Sequence, residues 1–197
     1  LLRLTLIRLA EEEHLLLLCA HHIIFDAWSR RIFIKELCTI YQQLGEGQPV
    51  QLPVLTRQYP DYAIRQRQWW QGEQAQGMLT WWQEKLAGRA FILDLPGSRA
   101  RPPVQTYNAG ETSHVLAAHI YATIQSFCKQ ERVSLFMLLL AAYQVLLQRY
   151  SQQEEVIVGV PFANRLDRES EALVGLFVNT LPLPARFTPG MSFRELL

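Results

Sequence analysis

Two adjacent histidines and an aspartate four positions after the second, His21, His22 and Asp26 in "AHHIIFDAWSRR" (residues 20–31), stand where the apolar run Leu15 to Ala20 ends. An imidazole can gain or lose a proton near neutral pH, and a neighbouring carboxylate can brace it. Three uses of these groups compete. Metal ligation is disfavoured, because neighbours in extended backbone point to opposite faces, so His21 and His22 reach one ion only if the chain turns between them. There is no HExxH spacing, and His114 and His119 are the only further histidine candidates of note, so no metal site is expected. A second use is structural: Asp26 caps the helix that follows, and the histidines are satisfied polar residues at a strand end. The third exploits the opposite-face geometry. One imidazole is held inward by hydrogen bonds, the other faces a channel as a base, and the carboxylate braces the loop. The residues alone leave the last two open.

The elements that must position this stretch can be read from periodicity. "LRLTLIRLA" alternates Leu2, Leu4 and Leu6 with Arg3 and Thr5, and "EEE" at 11–13 supplies a charged turn before "HLLLLCAH". That predicts a hairpin whose second arm, apolar at nearly every position, lies inside a covered sheet. From Ser29, apolar residues recur at Phe33, Leu37, Ile40, Tyr41 and Leu44, and Gly45, Gly47 and Pro49 end the run. The spacing predicts a helix and places the site stretch in a strand-to-helix loop.

Residues 59–86 read as helical and carry the tryptophans at 69, 70, 81 and 82. The Pro- and Gly-bearing stretch 88–110 reads as a connecting segment. Beyond it, "ETSHVLA" predicts a strand, and Ile120, Ile124, Phe127 and Cys128 form one face of a helix. Ser134 is placed to cap an apolar helix from Leu135 to Gln148. "EEVIVGVPFANR" predicts a buried strand, and "GLFVNTLPLPARF" an extended segment whose prolines demand an edge or a crossover. Nothing repeats, and the pattern predicts two lobes of mixed helix and strand.

The 197 residues carry 19 Lys and Arg against 18 Asp and Glu, with pairs such as Arg30 and Arg31 or Arg65 and Arg67 scattered along the chain. No basic stripe argues for nucleic acid. The apolar run at 15–20 is far too short to cross a bilayer, and the leading residues lack a signal-peptide pattern. Cys19, Cys38 and Cys128 lack CxxC spacing and read as reduced packing residues of a cytoplasmic protein. The chain opens on a strand pattern without Met and stops at "FRELL", a helix start, so it reads as a piece truncated at both ends.

"HHIIFDAWS" resembles the HHxxxDG motif of condensation domains of nonribosomal peptide synthetases. "YPDYAIRQRQWW" from Tyr59, "VGVPFANR" at 158–165 and "VGLFVNTLPLPAR" at 174–186 resemble further stretches of that family in the same order. The resemblance implies an α/β (α+β) fold of the chloramphenicol-acetyltransferase type, a two-lobed pseudo-dimer with the active histidine in a tunnel between lobes. On this chain it implies part of the N-terminal lobe over 1–88, an inter-lobe linker over 89–110 and part of the C-terminal lobe over 111–197.

The implied activity is peptide-bond formation. The α-amine of a carrier-bound acceptor attacks the thioester of an upstream aminoacyl or peptidyl donor, each substrate arriving on a 4'-phosphopantetheine arm. The implied partners are the upstream donor and downstream acceptor peptidyl carrier proteins and a neighbouring adenylation domain, with no cofactor bound by the domain itself, no nucleic acid and no membrane. His22 matches the second motif histidine and is expected to take the amine proton. His21 is expected to be scaffold. Asp26 is expected to organise the loop by pairing with an arginine that precedes residue 1. Trp28, Ser29 and Asn179 are expected along the substrate tunnel, Asn179 either orienting substrate or stabilising a turn.

Ala27 departs from the family glycine. If that backbone needs a positive φ, alanine costs about 1–2 kcal/mol or tilts the loop, leaving an active but strained domain. If the dihedrals are ordinary, the methyl is tolerated. Two other functions compete with condensation: an inactive docking or recruitment domain of the same fold, and a stand-alone acyltransferase using coenzyme A thioesters.

Overall fold

The computed structural model describes residues 1–97, 103, 104, 106 and 108–197. In chain order the elements begin with β1 (Leu2–Arg8), β2 (His14–Ala20), α1 (Ala27–Gly45), α2 (Tyr59–Trp70) and α3 (Glu73–Leu86). They continue with α4 (Ala118–Glu131), α5 (Leu135–Ser151), β3 (Glu155–Phe162), α6 (Arg168–Glu171), β4 (Asn179–Arg186) and α7 (Phe193–Leu196). Helix and strand are mixed, as the sequence predicts.

The chain divides into two compact units, 1–87 with 161–181, and 88–160 with 182–197. The sequence boundaries put all of 111–197 in one lobe; residues 161–181 instead join the first unit. The reason is local: Arg165 and Gly175 are bonded to Asp26 and Ser29. Of the expected linker 89–110, residues 98–102, 105 and 107 lie outside the described residues.

In the first unit, β1 and β2 pair antiparallel from Leu2 opposite Ala20 to Arg8 opposite His14. The Leu9 N–H closes the turn on the Glu13 carbonyl at 2.8 Å. Among the described residues this sheet has two strands. The covered position expected for β2 is therefore not found, and Leu15, Leu16 and Leu17 are 44%, 40% and 46% exposed. An unbroken apolar run records what a strand can bury, not which residues cover it.

At α2, Asp61 accepts the Gln58 N–H at 2.8 Å, closing a capping box with Pro60 in the first turn. Trp69 with Trp70, and Trp81 with Trp82, form edge-to-face pairs at 5.3 and 4.8 Å.

In the second unit the predicted helices form, but 111–117 carry no strand and have no strand partner among the described residues before α4 begins. Seven residues of suitable composition make a strand only where a partner supplies hydrogen bonds. Arg132 adopts a left-handed φ of 57° past α4, and Ser134 then caps α5 by accepting the Met137 N–H at 3.2 Å. Strand β3 pairs with β4, which has this one neighbour among the described residues, consistent with Pro182 and Pro184 in it. Val156, Val160 and Ala185 are the buried apolar residues of this pair. The buried Gln144 of α5 donates to the Leu183 carbonyl at 3.1 Å.

Cys128 is buried, whereas Cys19 and Cys38 are exposed, correcting the expectation that all three pack. Among the described residues no single helix is long and apolar enough to cross a membrane.

Candidate active site

The chain leaves β2 through a single 3-10 turn, His22–Ile24. His21 caps that turn: its Nδ1 accepts the Ile23 N–H at 3.1 Å, and its own N–H donates to the Leu1 carbonyl at 2.7 Å. Phe25 returns to extended backbone, with its N–H on the His22 carbonyl at 3.2 Å and its ring edge-on to Phe33 at 6.1 Å. The turn between His21 and His22 therefore gives them separate tasks. Both are exposed, so the held ring is not inward as expected, but bonded to its own turn. The His22 imidazole makes no hydrogen bond among the described residues, which leaves both ring nitrogens available.

Asp26 anchors the end of this loop from inside the unit. It is 2% exposed and caps α1, its Oδ1 accepting the Ser29 N–H at 2.7 Å. Its Oδ2 accepts the Phe177 N–H at 3.2 Å. Its ionic partner is Arg165, whose Nη2 donates to Oδ1 at 3.1 Å and to Oδ2 at 3.3 Å. The arginine expected before residue 1 lies outside the 197 residues, within which the carboxylate is paired with Arg165. The pairing was missed because the two residues stand 139 positions apart, although "VPFANR" offered the signal of a cation where an apolar strand ends. Asn164, at φ 52°, turns the chain just before Arg165, and its amide donates to the Tyr62 hydroxyl at 3.4 Å.

Arg165 is itself held through both terminal nitrogens, while its buried Nε has no hydrogen-bond partner among the described residues. Its Nη1 donates to the Leu173 carbonyl at 2.7 Å and also to the Ser170 carbonyl. Its guanidinium lies 3.9 Å from the centre of the Phe177 ring and 5.7 Å from that of Trp28. Burial pushes the Asp26 carboxyl up, but Ser29, the Phe177 N–H and the Arg165 charge together outweigh it and hold the pKa below its ordinary value. Burial pulls the Arg165 pKa down, and Asp26 offsets part of that. Burial pushes the Tyr62 phenol up, with Tyr59 and Asp167 acting in the same direction.

Ser29 is 0% exposed. Its hydroxyl donates to the Gly175 carbonyl at 2.8 Å and accepts the Gly175 N–H at 3.0 Å and Arg165 Nη2 at 3.1 Å. It cannot line a tunnel, and that expectation is corrected: a serine in a polar run looks exposed until its distant partners are known. Trp28 is half-buried, with its indole N–H on the Glu171 carbonyl at 2.9 Å. Asn179 opens β4, exposed, its amide making no hydrogen bond among the described residues.

Ala27 is the first residue of α1, exposed, and not among the described non-glycine residues with positive φ, which are Arg132, Gln152 and Asn164. The strain expected of alanine at this position is therefore absent. Among the described residues no three His, Cys, Asp or Glu side chains are placed to share a metal ion.

The model of one protein family, the Condensation domain, matches residues 1–197. The chain belongs to the condensation-domain family. It is 46% identical over its whole length to part of a linear gramicidin synthase from Brevibacillus parabrevis, covering 4% of that protein. It is 34% identical to part of the phosphinothricin tripeptide synthetase PhsC of Streptomyces viridochromogenes, covering 18% of it. Among solved structures, the X-domain from teicoplanin biosynthesis matches 99% of the chain with a TM-score of 0.87 and 27% identity. The first condensation domain of the CDA synthetase matches all of it at 0.82 and 22%. The chain thus spans a small part of the curated synthetases, and 44% and 43% of those two solved chains. The fold expected from the motifs, that of the condensation domains, is the fold these matches share.

Proposed function

We propose that this condensation-domain chain carries the base-bearing half of a peptide-bond-forming site. The acceptor α-amine attacks the donor thioester carbon, a C–N bond forms, the C–S bond breaks, and the amine proton passes through His22 to the departing thiolate. The observation that carries this reading is the His22 imidazole, exposed and free of protein hydrogen bonds among the described residues, on a loop whose far end is fixed by a buried Asp26–Arg165 pair. A base needs that combination of an available nitrogen and a rigid support.

The demand on His22 is modest. An α-amine has a pKa of about 7.7–8.0, so a fraction on the order of 10% is neutral at pH 7. General-base help contributes typically about 10²–10⁴-fold, whereas holding two reactants in line is worth effective molarities of about 10⁵ M or more. Placing the substrates matters more than moving the proton.

The donor and acceptor are read as aminoacyl or peptidyl groups on 4'-phosphopantetheine arms of carrier proteins, with an adenylation domain loading them. The long synthetases among the relatives support tethered substrates over soluble coenzyme A thioesters. Cytoplasmic residence, where such thiols stay reduced, goes with this reading.

A second reading is favoured by one observation, the match to the teicoplanin X-domain, a structure that is also described in complex with OxyB. It makes the chain part of a docking domain without transfer chemistry. Incubating the full-length protein with both carriers loaded, and looking for the new amide by mass spectrometry, separates the two. Product on the acceptor carrier supports condensation, and donor left intact on its own carrier supports docking.

A further inference from the structure

We infer that Ser29 is a positioning residue of the transfer site: its hydroxyl fixes the run from Gly175 to Asn179 against the loop that carries His22. The inference rests on the reading of His22 and Asn179 as groups that meet the substrates. A serine hydroxyl offers one donor and two acceptor positions, and here all three are used, on the Gly175 carbonyl, the Gly175 N–H and Arg165. One side chain thereby takes both backbone groups of a residue 146 positions away, as a neighbouring strand would. At 0% exposure, water cannot stand in for it.

The same run is held from its other side. A Cβ added at Gly175 would lie 2.2 Å from Tyr59 Cδ2 and 2.5 Å from Cε2, so only glycine lets that ring close down on the backbone. The Tyr59 hydroxyl donates to the Leu176 carbonyl at 2.8 Å. Phe177 is tied to Asp26 through its N–H at 3.2 Å, and its ring stands 5.2 Å from Tyr59 and 4.5 Å from Tyr62. Two residues further on comes Asn179, whose amide has no hydrogen-bond partner among the described residues and inherits its place from this clamp. His22 inherits its place from Asp26, which accepts the backbone N–H of Ser29 and is paired with the same Arg165 nitrogen that the Ser29 hydroxyl accepts. Ser29 is thus the joint between the two candidate substrate-facing groups, and a misplacement of about 1 Å is enough to cost on the order of 10²-fold in rate.

The test uses the full-length protein with both carriers loaded. It reads the single-turnover rate, the KM for the acceptor carrier, the melting temperature and hydrogen exchange at the Gly175 amide. Ser29→Ala is expected to lower the amide-forming rate by about 10- to 100-fold, to leave KM within about two-fold, and to speed exchange at Gly175 while the protein stays folded at the assay temperature. Gly175→Ala is expected to show the same loss, and Gly175→Ala combined with Tyr59→Ala to recover part of it, because the second change removes the ring the first collides with.

A folded Ser29→Ala protein with the wild-type rate, or with its loss confined to KM, overturns the inference. Should Ser29→Ala fail to fold, the Gly175 and Tyr59 pair decides: recovery in the double variant upholds the clamp, and no recovery overturns it. A wild-type rate in His22→Ala overturns the reading of the site and this inference together, whereas a wild-type rate in Ser29→Ala alone overturns only the inference.

Discussion

Asp26 joins two roles that its sequence position presented as alternatives: it is the N-cap of α1 and one side of a buried ion pair. Removing one member of such a pair leaves the other charge uncompensated, so Asp26→Ala is expected to cost about 3–5 kcal/mol, read by denaturant unfolding. Combining it with Arg165→Met should cost less than the sum of the two single changes. The pKa of Asp26 is lowered in the folded protein from an ordinary value near 3.8. Its contribution is therefore complete above that value and is lost as pH falls through the lowered one. The stability gap between the wild type and Asp26→Asn should narrow below about pH 4. A gap constant down to the acid transition would show that the carboxylate charge is not what holds the loop. At Ala27 the ordinary backbone of a first helical turn predicts that Ala27→Gly gives no gain in melting temperature and costs up to about 1 kcal/mol. A stabilised Ala27→Gly protein would restore the strained-loop account.

The elements were legible wherever a local pattern decides structure. Alternation gave β1, periodic apolar residues gave α1, and Ser134 marked the start of α5. That cap is expected to be worth about 1 kcal/mol, so Ser134→Ala should lower thermal stability by that amount while leaving amide formation per folded molecule unchanged. What local pattern does not carry is partnership. Among the described residues, 111–117 have strand composition and no strand beside them, and β2 has the apolar run of an interior strand with a single neighbour. The same limit explains the site. His22 and Asp26 could be read from one short motif, because four residues of spacing hold them on one loop. Arg165, Gly175 and Tyr59 could not, because only the folded chain brings Arg165 to Asp26, Gly175 to Ser29 and Tyr59 to Leu176.

At the scale of the whole molecule, Leu2, Leu4 and Leu6 lie on one face of β1 and are 54%, 50% and 66% exposed. Contiguous apolar surface of this kind is what a partner surface covers. The isolated 197-residue chain is therefore expected to bind the dye ANS, and the full-length protein to bind less of it per chain. Equal binding by both would mean that these leucines stay open. The central claim is narrower and rests on one imidazole held ready on a fixed loop. It is tested most directly by single-turnover amide formation in full-length His22→Ala with both carriers loaded. A loss of about 10²–10⁴-fold with unchanged melting temperature and carrier affinity is predicted, and a wild-type rate would contradict the account.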